Sequence, residues 1–404
     1  MILLKKNNLE FVFLFLVTFG YLFIYSLALP VKIPNVYFSI PFKSIVFLTS
    51  LYLIFLNFDN IKKRKWTIAF ISMFWFFYAF KSYYSFQNYT FVPEAKSMQY
   101  WTYFKIIFVN LIPSIAILSI TITKKMAEKL VRLSFHFLLI IIGISCLYTI
   151  LITQNFSRST GIFDRYYITT GHYGLCLMIL SVFYYFVNRK KIVKPTLGFL
   201  MGLFTICISS ARSPILAAAV IMLVMLLYIN KLKYWLALVF FILIFVAGIY
   251  FIRHSSYATE YIVRLYDAIF EGNAYGRSYY LGKGWEIFEN NIFFGGRTLF
   301  ENWMYPHNIF VEVPMAMGVT GGILLILYFK DLWKFKLEYI KQNIFYLPYF
   351  LFFIQYLVLI QTSYCIFDNV EFWCFAAVII SIILFCYDEK IKSNDSRGNA
   401  TGNY

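Results

Sequence analysis

Three arginine-bearing stretches hold the residues best suited to chemistry. The first is Arg158-Ser-Thr-Gly-Ile-Phe-Asp164-Arg165, followed by Thr169-Thr-Gly-His172-Tyr-Gly174. The second is Ser209-Ser210-Ala211-Arg212-Ser213-Pro214. The third is the long segment from Arg253, which contains Gly276-Arg277 and closes on Pro306-His307-Asn308, with Glu312 five residues beyond the histidine. Arginine presents a planar fork of donors that suits bidentate binding of phosphate. Pro214 suits a first helical position with Ser213 as N-cap, which would set Arg212 beside a helix N-terminus that already favours anions. Arg277 follows a glycine at the start of a second helical pattern. His307 stands where an apolar run begins, and the helix dipole there disfavours imidazolium and keeps the neutral ring that a general base needs. Glu312 falls about 140° round the helix from His307, the place of a supporting rather than a direct partner.

Blander roles compete for several of these residues. Arg158 and Arg165 fit an ordinary interfacial loop as readily as a ligand grip. His172 is expected to cap or pack within its helix. Arg253, Arg264 and Arg297 are expected to meet lipid headgroups.

The elements that must position these groups follow from composition. The chain has 404 residues, 61% hydrophobic and 14% charged, more apolar surface than a soluble fold of this length could hide. Its apolar runs approach the roughly 20 residues that cross a ~30 Å hydrocarbon core as a helix. Backbone pairing within lipid requires helices or closed barrels, and these runs neither alternate nor match barrel strands. The expectation is an all-α polytopic membrane protein of about twelve transmembrane helices. The spans are Phe11–Leu29, Val36–Phe58, Trp66–Phe80, Trp101–Thr123, Leu130–Ile152, Thr170–Val187, Pro195–Ser209, Pro214–Asn230, Leu232–Ile252, Asn308–Phe329, Ile344–Ile366 and Phe372–Tyr387. The third and seventh are short. Residues 1–387 read as one membrane domain, with an outer loop over 253–306 between spans nine and ten, and 388–404 as a disordered tail. Within that loop Ile262, Leu265, Ile269 and Phe270, then Leu281, Trp285 and Phe288, recur at helical spacing and predict amphipathic helices lying as a cap.

The net charge of +17 sits in short clusters between apolar runs rather than in a basic domain, which argues against nucleic acid as a partner. Lys62-Lys63-Arg64-Lys65, Lys124-Lys125, Arg189-Lys190-Lys191, Lys231 with Lys233, and Lys330 through Lys341 fall in alternate loops, so that side and both termini are expected in the cytoplasm. The first run is expected to stay as an uncleaved span. Seven of the eleven arginines (Arg158, Arg165, Arg212, Arg253, Arg264, Arg277 and Arg297) lie on the opposite, outer side, against the topological bias. The pattern points to an anionic, phosphorylated ligand outside. No metal is expected: His136, His172, His254 and His307 lack ligand spacing, and no outer acidic pair of DxD type occurs. Lys43 and Lys105 are the charges placed inside spans, where a transporter would carry its site. The six cysteines lie in or beside apolar runs and read as buried free thiols, with only Cys365 and Cys374 placed to meet.

The second half of the chain resembles the bacterial O-antigen polymerase and O-antigen ligase family. The resemblance rests on Ser209–Pro214, on Gly276-Arg277 with Trp285, Asn291 and Gly295, and on His307-Asn308 with Glu312, Gly318 and Gly321. The Arg158–Gly174 stretch is similar to that family's arginine- and glycine-bearing loop. A proline expected after Asn291 is absent, and the first four spans carry no matching motif. The resemblance implies a membrane C-type glycosyltransferase fold and a metal- and cofactor-free transfer of oligosaccharide from an undecaprenyl-diphosphate carrier. The acceptor would be another lipid-linked repeat (polymerase, the favoured reading) or lipid A-core (ligase). A transporter or flippase of the same lipid-linked sugar is the reading from another class. His307, Arg212 and Arg277 are the expected catalytic residues, and Arg158, Arg165, Asn308 and Glu312 the expected contacts to diphosphate or glycan. The resemblance further implies the inner membrane, a site facing the periplasm, and a chain-length regulator and a flippase as partners.

Overall fold

The computed structural model describes residues 6–163, 166–188, 192–254, 260–271 and 277–400. Among them there is helix and no strand. The long helices are α1 (Lys6–Leu27), α2 (Val36–Leu56), α3 (Lys65–Asn88), α4 (Gln99–Ser119), α5 (Lys124–Thr153), α6 (Tyr167–Val187), α7 (Val193–Ser209), α8 (Arg212–Ile229) and α9 (Leu232–Arg253). After them come α10 (Glu260–Phe270), α11 (Arg277–Glu289), α12 (Ile309–Tyr328), α13 (Leu347–Thr362) and α14 (Val370–Ala400). Ten are long and apolar enough to cross a membrane. With α3 and α7 they account for every span expected from the sequence. α14 continues as helix through most of the stretch expected to be a tail.

The third span is the one whose length the hydropathy pattern understates. α3 runs 24 residues because Lys81, Ser82 and Ser85, which end the apolar run in sequence, turn inward and are buried. Lys81 Nζ donates to the Gly295 carbonyl at 2.9 Å, and Ser85 Oγ accepts from the Thr298 amide at 3.2 Å. α7, at 17 residues, is short and instead packs closely on α6. A Cβ on Gly174 would lie 2.7 Å from the Gly202 carbonyl oxygen, and one on Gly202 2.5 Å from that of Gly174. Small residues facing each other let two helix backbones approach this closely.

The lysine-rich connections gather at one end of the bundle. There Arg64 donates to the carbonyls of Leu118 and Ile120 and to Ser381, Thr67 to Asp331, and Lys390 to Glu338. The arginine-bearing stretches gather at the other. Between the two ends Phe74, Trp75, Tyr328 and Trp373 interlock as the buried aromatic centre, with the Trp75 and Trp373 rings 4.9 Å apart. α10 folds back on the end of α9, where the Tyr250, His254 and Tyr266 rings meet and the Arg253 guanidinium lies 5.7 Å above Tyr266.

α12 is broken at Gly318 (φ 64°, ψ −157°), and the segment after α11 completes it. The Val319 amide donates to the Ile292 carbonyl and Thr320 to that of Phe293, while the Gly296 amide donates to Met315. The glycines at 295 and 318, far apart in sequence, therefore meet backbone to backbone.

Candidate active site

Among the helices that begin at the arginine-rich end are α6 at Tyr167, α8 at Arg212 and α12 at Ile309, and the described part of α11 opens there at Arg277. Each leaves free N–H groups there, so the region favours negative charge before any side chain is counted. Local bonds hold the starts of α6 and α12 against the end of α13. Gln361 at the end of α13 accepts from Asn308 Nδ2 at 3.4 Å, and Tyr364 just beyond it meets the Thr169 hydroxyl. The Ser159 amide donates to the Ile208 carbonyl at 2.9 Å and fixes the Arg158 loop to the end of α7. Gly161 (φ 60°) is required in that loop, because a Cβ there would fall 1.9 Å from Ser145 Oγ.

Arg212 is the first residue of α8, after Ala211 in extended conformation. The helix therefore starts earlier than Pro214 suggests, and Ser213 does not cap it. Ser213 Oγ is held instead by His172 Nε2 at 3.1 Å. The imidazole of His172 is fully buried, and Gln355 Nε2 donates to its backbone carbonyl at 2.7 Å, so His172 ties α6, α8 and α13 together as a packing residue.

Arg277 is half-buried at the first position of α11. Its pKa is lowered by burial and then by the positive charge of Arg212, with Tyr167 opposing. Arg277 in turn acts on His307, whose pKa falls to about 4, first through burial and then through that guanidinium. Arg212, Arg277 and His307, from three separate stretches, thus lie within one electrostatic neighbourhood. α11 is clamped there by Gly284, where a Cβ would lie 2.8 Å from the Pro306 ring and 3.0 Å from Val311.

His307 adopts a left-handed conformation (φ 60°), sparsely populated for any residue but glycine. Its ring lies 4.4 Å from that of Tyr305 and 6.3 Å from that of Tyr280. Its Nδ1 is sealed from solvent with no hydrogen-bond partner. Asn308 is the N-cap of α12, its Oδ1 accepting from the Phe310 amide at 2.9 Å. Glu312 lies fully buried behind the histidine, where its Oε1 accepts from the Ile366 amide at 3.0 Å and from Tyr78 at 3.3 Å. It braces the connection between α13 and α14 against α12. Arg158 (φ 51°) is exposed on its loop, and Arg165 lies outside the described residues.

Arg297 is not a headgroup contact. It is 6% exposed, pairs with Glu301, donates to the carbonyls of Leu299 and Thr90, and lies over the Tyr89 and Phe91 rings. Glu301 and Leu299 are close in sequence, whereas Thr90, Tyr89 and Phe91 come from the connection after α3, which no local pattern around position 297 reveals. Arg253 covers Tyr266, and the side chain of Arg264 lies outside the described ones. Lys105 pairs with Asp368, and with Lys43, Tyr21, Tyr25 and Glu371 they line a cavity of about 30 Å³, on the scale of a water molecule. The six cysteines are free, and Cys207 alone among them is exposed. Among the described residues no three His, Cys, Asp or Glu side chains gather as a metal site would require.

The sequence reading singled out Arg212, Arg277 and His307 but not the two tyrosines that flank the histidine. Tyr305, two residues before it, is visible in the sequence, whereas Tyr280 reaches it only through the fold of α11.

Residues 197–326 match the family model described as O-antigen ligase. The match spans α7 to α12 and therefore includes Arg212, Arg277, His307 and the Gly295–Gly318 contact. It supports the O-antigen polymerase and ligase family, in agreement with the resemblance read from the motifs. No curated protein matches the chain.

Proposed function

We propose that this protein transfers an oligosaccharide from an undecaprenyl-diphosphate carrier to a glycan acceptor at the outer face of the bacterial inner membrane, as a polymerase of repeat units. The observation that carries the reading is the convergence of Arg212, the first residue of its helix, and Arg277, the first described residue of its own, beside a His307 whose charged form is disfavoured. Two guanidiniums at helix starts suit a diphosphate. They would stabilise the charge that grows on it as the anomeric carbon–oxygen bond breaks. The acceptor hydroxyl forms the new glycosidic bond, and His307 is the group placed to deprotonate it or to order the reacting oxygens. Arg158 and Arg165 extend the grip, and Asn308 and Glu312 support the histidine from the start of α12. The lysine-rich end and both termini face the cytoplasm under this reading, a chain-length regulator and a flippase are its expected partners, and the transfer requires no metal.

The matched family carries the name of a ligase, so transfer to lipid A-core is the second reading. The glycan profile of a deletion strain separates the two. A lost polymerase leaves one repeat unit on the core. A lost ligase leaves bare core and accumulates lipid-linked chains. An unaltered profile would sink both.

A further inference from the structure

His307 has its Nδ1 buried without any hydrogen-bond partner. Nε2 is the nitrogen left for substrate. The tautomer follows from that asymmetry. Imidazolium carries N–H on both nitrogens, and a neutral ring with its lone pair on Nε2 carries N–H on Nδ1. Either form would bury a donor with no acceptor, and orphaned buried N–H groups are rare because each forfeits its hydration. The tyrosine rings at 4.4 and 6.3 Å offer at most a weak acceptor. In a hydrolytic triad a carboxylate holds the corresponding N–H and steadies the imidazolium that forms. Here the groups facing the ring are Arg277 and Tyr280 from α11 and Tyr305 from its own segment, and among the described residues no carboxylate bonds to it.

We infer that His307 is a hydrogen-bond donor rather than a proton acceptor: its Nε2–H joins Arg212 and Arg277 on the oxygens of the departing diphosphate. The inference rests on the glycosyl-transfer reading and assigns one role within it. As the acceptor oxygen bonds to the anomeric carbon, the carbon–oxygen bond to phosphate breaks and its electron pair stays on the phosphate. The acceptor's proton passes to that diphosphate, so atoms and charge balance with no base in the protein. Tyr305 is then a positioning residue, whose ring packs against the imidazole of His307 and holds its Nε2 toward the arginines.

Two measurements on the full-length protein in liposomes test this. The first is ¹⁵N NMR of histidine-labelled protein, with the His307 signal assigned by its loss in H307Q. A neutral Nε2–H ring between pH 5 and 8 is expected, and an Nδ1–H tautomer or an imidazolium in that range overturns the inference. The second is turnover of lipid-linked oligosaccharide extracted from a strain lacking this protein. H307Q, which keeps an amide N–H near the place of Nε2, is expected to retain a tenth or more of wild-type kcat. H307A should lose about 100-fold, the order expected for one hydrogen bond to a charged group. A wild-type rate that rises through a histidine titration, with H307Q as inactive as H307A at equal thermal stability, overturns it. Y305F is expected to behave as wild type and Y305A to lower kcat with little change in KM; a Y305A that alters KM alone refutes the positioning role. If the wild-type protein makes no product, it is the glycosyl-transfer reading that fails, and the NMR result still decides the tautomer.

Discussion

Replacing Gly295 by alanine attacks the contact on which the third arginine-bearing stretch hangs. Gly295 has φ +68°, and a Cβ there would lie 2.4 Å from the backbone of Ala316 and Met317 and 2.6 Å from the Gly318 amide. The left-handed conformation alone costs an L-residue roughly 1–2 kcal/mol. The overlap is with backbone on the far side, so no side-chain rotation relieves it and the 292–296 segment must draw away from α12. That movement strains the bonds from Gly296 to Met315, Val319 to Ile292 and Thr320 to Phe293, each a net contribution of about 1 kcal/mol. The sum is about 4–5 kcal/mol, a large share of the roughly 5–15 kcal/mol that holds a folded domain. Thermal unfolding of the detergent-purified protein, followed by fluorescence size exclusion, should show Tm lowered by about 5–10 °C. Gly318→Ala should match it, since its own Cβ would meet Phe293 at 2.5 Å. Gly322→Ala, on the same helix with nothing within 4 Å, should be neutral or slightly stabilising. Equal stability of all three variants would refute the claim that this contact fixes the segment.

The arginines separate by role. Arg297→Ala should lower stability by about 2–4 kcal/mol, because it leaves the buried carbonyls of Leu299 and Thr90 without their donor while Glu301 keeps Lys283, and thermal unfolding measures it directly. Arg277→Lys should leave Tm within a degree or two yet reduce turnover about 10-fold or more through loss of the bidentate fork, as read in a lipid-linked oligosaccharide assay. For His307 the folded pKa of about 4 lies below its ordinary 6.5, so its contribution to stability is complete above pH 6.5 and is lost as pH falls toward 4. Tm measured from pH 7 to pH 4 should therefore fall less steeply in H307Q than in the wild type.

The architecture was legible because lipid imposes a simple rule: a run of apolar residues long enough to span must be a helix. The rule failed at the C-terminal end of α3, where Lys81 and the serines at 82 and 85 look like the end of a span. Lys81 and Ser85 are instead paired inward with the Gly295 carbonyl and the Thr298 amide of the segment that follows α11, and Ser82 is buried beside them. The chemistry was legible in part for a related reason. Arg212 and Arg277 stood out because an arginine against the topological bias needs a cause, and the structure brings the two close enough for the charge of one to act on the other. Arg297 has the same local signature but spends its charge on Glu301, four residues on, and packs against Tyr89, Thr90 and Phe91 of the connection after α3, a long-range contact without a local mark. The glycines at 295 and 318 were visible as motif positions, while their contact with each other emerges only when the broken helix is seen.

The central claim is that Arg212, Arg277 and His307 form one site for glycosyl transfer from a lipid diphosphate. Its most direct test is turnover of lipid-linked oligosaccharide by the purified protein and by its single alanine variants at equal expression and equal Tm. The account predicts elongated lipid-linked glycan from the wild type and a loss of about 10-fold to 100-fold in each variant. Unchanged turnover in all three, or movement of the lipid across the liposome without any new glycosidic bond, would contradict it.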